Sequence, residues 1–97
     1  MNVLEEIEYT LAEHKEDLMQ KYKVKELGIF GSYIRGKQRK RSDLDVLVKF
    51  EEPIGLLKFV ALERHLSRLL GRKVDLVMKS ALKPTIGSYV LEEVKYI

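Results

Sequence analysis

The stretch that most constrains this fold runs from Gly31 to Val48, where a bend is tied to a strand by residues of defined chemistry. Leu44, Val46, Val48 and Phe50 alternate with Asp45, Leu47 and Lys49. That period of two marks a strand with one face packed inward. Asp43 and Asp45 then fall on the outward face, with alpha carbons about 6.6 Å apart at a rise of about 3.3 Å per residue. Carboxylates held this close raise each other's proton affinity unless a cation sits between them. Mg2+ meets that need, because it takes one or two carboxylates and completes its octahedron with water and substrate phosphates. Alone, Asp-x-Asp is better explained as a solvated turn end.

The residues before it add a second requirement. Leu27-Gly28-Ile29-Phe30 reads as a short buried strand running into Gly31-Ser32, after which Tyr33-Ile34-Arg35 opens a brief helical turn. Glycine allows the bend and lets a phosphate approach the backbone. Ser32 offers a hydroxyl and an amide at the start of a turn whose free N–H groups attract an anion. By itself Gly-Ser marks an ordinary turn. Placed before the two aspartates, it gives the layout of a nucleotide site, phosphate on one side and metal on the other.

Ten residues, Tyr33 to Ser42, separate Gly31-Ser32 from Asp43-Leu44-Asp45. This order and spacing resemble the signature of the nucleotidyltransferase superfamily typified by DNA polymerase beta. That superfamily needs a third carboxylate on a neighbouring strand, and Lys73-Val74-Asp75-Leu76-Val77-Met78 supplies Asp75 opposite an apolar face of Val74, Leu76 and Met78. Within the superfamily the chain is most similar to the minimal nucleotidyltransferases, the MNT antitoxins encoded beside HEPN-domain proteins. Gly31-Ser32-Tyr33-Ile34-Arg35-Gly36, Ser42 to Val48 and Val74 to Val77 carry the likeness, which extends from Leu27 to about Val94. Ile34 departs from the pattern, since a small residue is usual there, and its bulk is expected to shift the first turn after Ser32.

The rest of the chain reads as helices around these strands. Asn2 with Glu5 looks like a helix start, and Leu4, Ile7, Leu11, Leu18 and Tyr22 recur at helical spacing. Glu51-Glu52-Pro53 breaks the strand pattern; Gly55 leads into a second helix carrying Leu56, Phe59, Val60, Leu66, Leu69 and Leu70, closed by Gly71. A helical crossover of that length would let the two carboxylate-bearing strands lie side by side. Pro84 opens a third helix with Ile86, Tyr89, Val90 and Val94. Gly87-Ser88-Tyr89 repeats the earlier tripeptide, but no strand leads into it and no Asp-x-Asp follows. His14 and His65 lie on apolar stripes without partners of metal-ligand spacing and are assigned no chemistry. The expected fold is α/β (α+β) and polymerase beta-like: a short mixed sheet with helices on one face and the carboxylates on the other, in one domain spanning 1–97.

Charge is local rather than general. Arg35, Lys37, Arg39, Lys40 and Arg41 are five of the 18 basic residues, and without them the net charge of +3 becomes an acidic remainder. A basic run beside a phosphate turn favours polyphosphate or an acidic partner. The chain has no cysteine, an acidic N-terminus where a signal peptide would be basic, and no apolar run long enough to span a membrane, so a cytoplasmic location is expected.

The resemblance implies transfer of AMP from ATP to a hydroxyl, a tyrosine of a partner HEPN ribonuclease toxin. Asp43, Asp45 and Asp75 would hold two Mg2+ ions, and Gly31, Ser32, Arg35 and Ser42 would contact the nucleotide. Two other readings stay open: an antitoxin that acts by binding alone, and a nucleic-acid-binding module using the basic loop.

Overall fold

The computed structural model describes residues 1–97. Helix α1 (Val3–Tyr22) starts where the sequence places a cap. The Asn2 side chain accepts the Glu5 amide at 2.8 Å, and the Glu5 carboxylate accepts the Asn2 amide at 3.2 Å. Two backbone donors that the helix leaves free are thereby satisfied. The helix ends at Lys23, in a left-handed conformation, and passes directly into strand β1 (Val24–Phe30). β1 begins three residues before the apolar run that announces it. Its first turn of ladder carries a register shift between Val24 and Glu26, which breaks the alternation on which a sequence reading relies.

The remaining elements follow in order: α2 (Ser32–Arg35), β2 (Leu44–Phe50), α3 (Leu56–Leu70), β3 (Val74–Met78), a 3-10 turn (Lys79–Ala81), α4 (Pro84–Glu93) and β4 (Lys95–Tyr96). The sheet is mixed, in the order β3-β2-β1-β4. β1 is antiparallel to β2 and β4, whereas β2 and β3 run parallel and are joined by α3. The expected alpha-plus-beta architecture is therefore present.

One face of the sheet carries the main core. Ile7, Leu11, Leu18 and Tyr22 of α1 and Leu62, Leu66 and Leu70 of α3 pack on Leu27 and Ile29, on Leu44, Val46 and Val48, and on Val74 and Leu76. Ile34 packs against this same cluster. Its bulk is thus absorbed by the core side of the turn.

The second face is less open than alternation suggests. Leu47 shares it with Asp45, yet Leu47 is fully buried. Its ladder partner is Gly28, and a methyl group at Gly28 would come within 2.6 Å of Val94 and 3.2 Å of the Tyr96 ring. The C-terminal segment therefore lies on this face, fixed by pairing of Gly28 with Tyr96 and of Ile29 with Lys95. The amide of Ile97 adds a bond to the Leu27 carbonyl at 2.8 Å. A two-residue strand has no periodicity to read, so β4 is not visible in the sequence. Gly87 is a packing residue, since a side chain there would stand 3.1 Å from Leu82. No helix is long and apolar enough to cross a membrane.

Candidate active site

β2 and β3 pair with Leu44 opposite Val74 and Asp45 opposite Asp75. Residues directly opposite in neighbouring strands project to the same face, so Asp45 and Asp75 stand side by side, away from the core, at a strand spacing of about 4.8 Å. Asp43 comes just before β2, whose first amide, that of Leu44, bonds to the Lys73 carbonyl at 2.9 Å. Its carboxylate lies 3.7 Å from the exposed Lys73 ammonium. The three acids that the sequence singles out are thus brought to one edge of one face.

β3 is an edge strand, so its outer amides have no strand partner. Here the two amides that flank Asp75 are both taken by α3. The Val74 amide donates to the Ser67 hydroxyl at 3.0 Å, and the Leu76 amide donates to the Glu63 carboxylate at 2.9 Å. Glu63 and Ser67 were not legible as site-building residues; their only sequence signal is a polar pair one helical turn apart beside Leu62 and Leu66.

The glycine turn faces the same acids. Gly31 has φ 81° and ψ −151°, a region essentially closed to residues with a side chain. A methyl group there would collide with the Asp45 carboxylate. The Gly31 carbonyl accepts the amides of Ile34 and Arg35, both at 3.1 Å, and starts the short turn α2. Gly31 and Asp45 are therefore adjacent, with Ser32 next in the chain at the start of α2.

Glu93, at the end of α4, is the partner that the sequence does not reveal. Its carboxylate accepts the Gly31 amide at 2.7 Å and the Arg35 guanidinium at 3.1 Å. Nothing in the sequence distinguishes it from neighbouring Glu92. Ser42 has a local role, in which its hydroxyl accepts the Arg39 amide at 2.8 Å and closes the basic loop. Lys37, Arg39, Lys40 and Arg41 are all exposed. Between the turn and α4 lies a cleft of about 640 Å3, bounded by Gly31, Arg35 and Asp45 on one side and by Ile86, Tyr89 and Glu93 on the other.

Residues 11–97 match the nucleotidyltransferase domain family. The chain belongs to that family. The protein adenylyltransferase MntA of Thermococcus cleftensis is 54% identical over 97 residues, covering 100% of this chain and 98% of the relative. A solved minimal nucleotidyltransferase superposes with a TM-score of 0.74 at 36% identity, over 92% of this chain and 93% of the other. The fold also matches, at a TM-score of 0.66 and 20% identity, a structure of the tri-AMPylated Shewanella oneidensis HEPN toxin in complex with MNT antitoxin, over 93% of this chain and 70% of that chain.

Electrostatics in this nucleotidyltransferase domain centre on Asp45. Burial pushes its pKa up to about 6, and the negative charges of Asp75, Asp43 and Glu93 add to the rise against the opposing pull of Arg35. No three acidic or histidine side chains are gathered closely enough to form a finished metal cage. Asp43 turns toward Lys73. Asp43, Asp45 and Asp75 nevertheless offer only hard oxygen donors, and the cations nearest them, Lys73 and Arg35, are side chains with solvent-exposed ends. The three acids fit a hard dication such as Mg2+ better than zinc, which prefers nitrogen and sulfur.

Two outcomes follow. Because its folded pKa lies above that of the unfolded chain, Asp45 costs stability as pH rises from about 4 through about 6. In divalent-free buffer Asp45→Asn is expected to raise the melting temperature at about pH 7.5, by about 1 kcal/mol at most since the group is partly solvated, and to leave it nearly unchanged at about pH 3.5, below the unfolded pKa. For Gly31→Ala, denaturant unfolding is expected to show a loss of about 1–3 kcal/mol from the backbone conformation alone. Unchanged stability would mean that the turn relaxes away from Asp45.

Proposed function

We propose that this domain transfers AMP from ATP to a hydroxyl, specifically a tyrosine, of a partner HEPN-domain toxin, and so acts as the antitoxin. The observation that carries the reading is the in-register pair Asp45 and Asp75 facing the Gly31 turn. The name and high identity of the Thermococcus cleftensis relative support the reaction, and the AMPylated toxin in the Shewanella oneidensis complex supports the acceptor. Residues 1–97 act as one domain in this reading, working in the cytoplasm where both partners are made.

Asp43, Asp45 and Asp75 would hold two Mg2+ ions, whose chemistry is to neutralise the triphosphate and lower the proton affinity of the acceptor hydroxyl. The Gly31 amide, Ser32 and Arg35 bind the phosphates, and the exposed basic loop draws the polyanion toward the cleft. Ser42 keeps that loop closed beside Asp43. Asp75 is exposed on the edge strand, open to an acceptor presented by another protein, and takes the acceptor proton. The acceptor oxygen bonds to the alpha phosphorus, the bridge to the beta phosphate breaks, and pyrophosphate leaves with the electron pair. Fixed positive charge at Arg35 favours the charge that develops on the leaving group.

The test is incubation of the protein with Mg2+, labelled ATP and its HEPN partner. Label is expected on a partner tyrosine, protection of the toxin at substoichiometric protein, and a fall of about a hundredfold or more for Asp45→Ala. Equal neutralisation by the Asp43→Ala, Asp45→Ala double variant would make the protein a blocker. Tight, steeply salt-dependent RNA or DNA binding that survives this double variant would favour the basic loop as a nucleic-acid module.

A further inference from the structure

Glu93 occupies donors that the proposed function gives to the nucleotide. Its Oε2 accepts the Gly31 amide at 2.7 Å, and its Oε1 accepts the Arg35 guanidinium at 3.1 Å. A carboxylate and a phosphate present the same kind of charged oxygen to an amide and a guanidinium. Gly31 has a single N–H, so it cannot serve both at full strength.

The contact is not needed to hold the C-terminal segment in place. β4 is paired to β1, Val94 packs on Gly28, and the Ile97 amide bonds to the Leu27 carbonyl. Those contacts anchor residues 94–97 along β1 without Glu93. The Glu93 side chain is 24% exposed and that of Arg35 is 54% exposed, so the pair has room to part toward solvent. An ion pair with this exposure is weak enough for a triphosphate to break.

We propose that Glu93 is a positioning residue that keeps the Gly31 amide and the Arg35 guanidinium aimed into the cleft and yields both to the incoming triphosphate. The inference rests on reading the cleft as an ATP site. Glu93 then sets nucleotide affinity by competing for the anion position. Its charge, once displaced, also repels the bound phosphates, so the wild type binds nucleotide less tightly than the donors alone would allow.

Glu93→Gln keeps an acceptor for the Gly31 amide and removes the charge. Calorimetric titration with sodium tripolyphosphate and with a non-hydrolysable ATP analogue is expected to show binding about three- to tenfold tighter than wild type. In transfer assays the KM for ATP is expected to fall by a similar factor while kcat does not rise. The gain is expected to shrink when Arg35→Gln is also present. Wild-type binding with equal or weaker binding by Glu93→Gln overturns the inference and leaves the ATP site standing. Absence of binding by both proteins overturns the ATP site and the inference together. A second readout needs only wild type: the Gly31 amide and Glu93 side-chain carboxyl resonances are both expected to shift on saturation with tripolyphosphate. A Glu93 carboxyl that does not move at saturation overturns the inference even if Glu93→Gln fails to fold.

Discussion

The contact on which the site depends is that of the Asp45 carboxylate with the bare alpha carbon of Gly31. A side chain of any size at position 31 would take the space of the carboxylate. The turn and the acid strand are therefore locked together by the absence of an atom. Because Asp45 is also in register with Asp75, the same contact sets the distance from the turn to the third acid. One glycine and one ladder register thus relate the turn to Asp45 and Asp75.

Those two relations are held from outside the site. α3 grips β3 through Ser67 and Glu63 on either side of Asp75, which fixes an edge strand that has only one strand neighbour. On the other flank, Glu93 reaches from α4 to the turn, and β4 ties the following residues to β1. The acids are consequently placed by packing and hydrogen bonds, before any ion arrives. The rise in the Asp45 pKa is the electrostatic cost of that placement, and a bound dication would remove it.

The sequence was legible wherever chemistry or periodicity repeats. Gly31-Ser32, Asp43-Leu44-Asp45 and Asp75 could be placed because the alternation around each acid fixes its face, and the three long helices because their apolar stripes and caps agree. The burial of Leu47 is not legible, because alternation reports which residues share a side, not whether that side is covered. The cover is the C-terminal segment, whose two-residue strand is too short to carry a period. The bond of Arg35 to Glu93 has no sequence signal, because the two residues are 58 positions apart with no pattern linking them. Glu63 and Ser67 are not legible for a similar reason: their partners are backbone amides, which leave no trace in side-chain identity.

The most direct measurement is the anomalous scattering of Mn2+ in crystals of the protein grown with a non-hydrolysable ATP analogue. Mn2+ is expected on Asp45, shared with Asp43 and Asp75, with the triphosphate lying against Gly31 and Ser32. Metal held away from Asp45, or a nucleotide bound on another face, would contradict the convergence of turn and carboxylates from which the proposed chemistry derives.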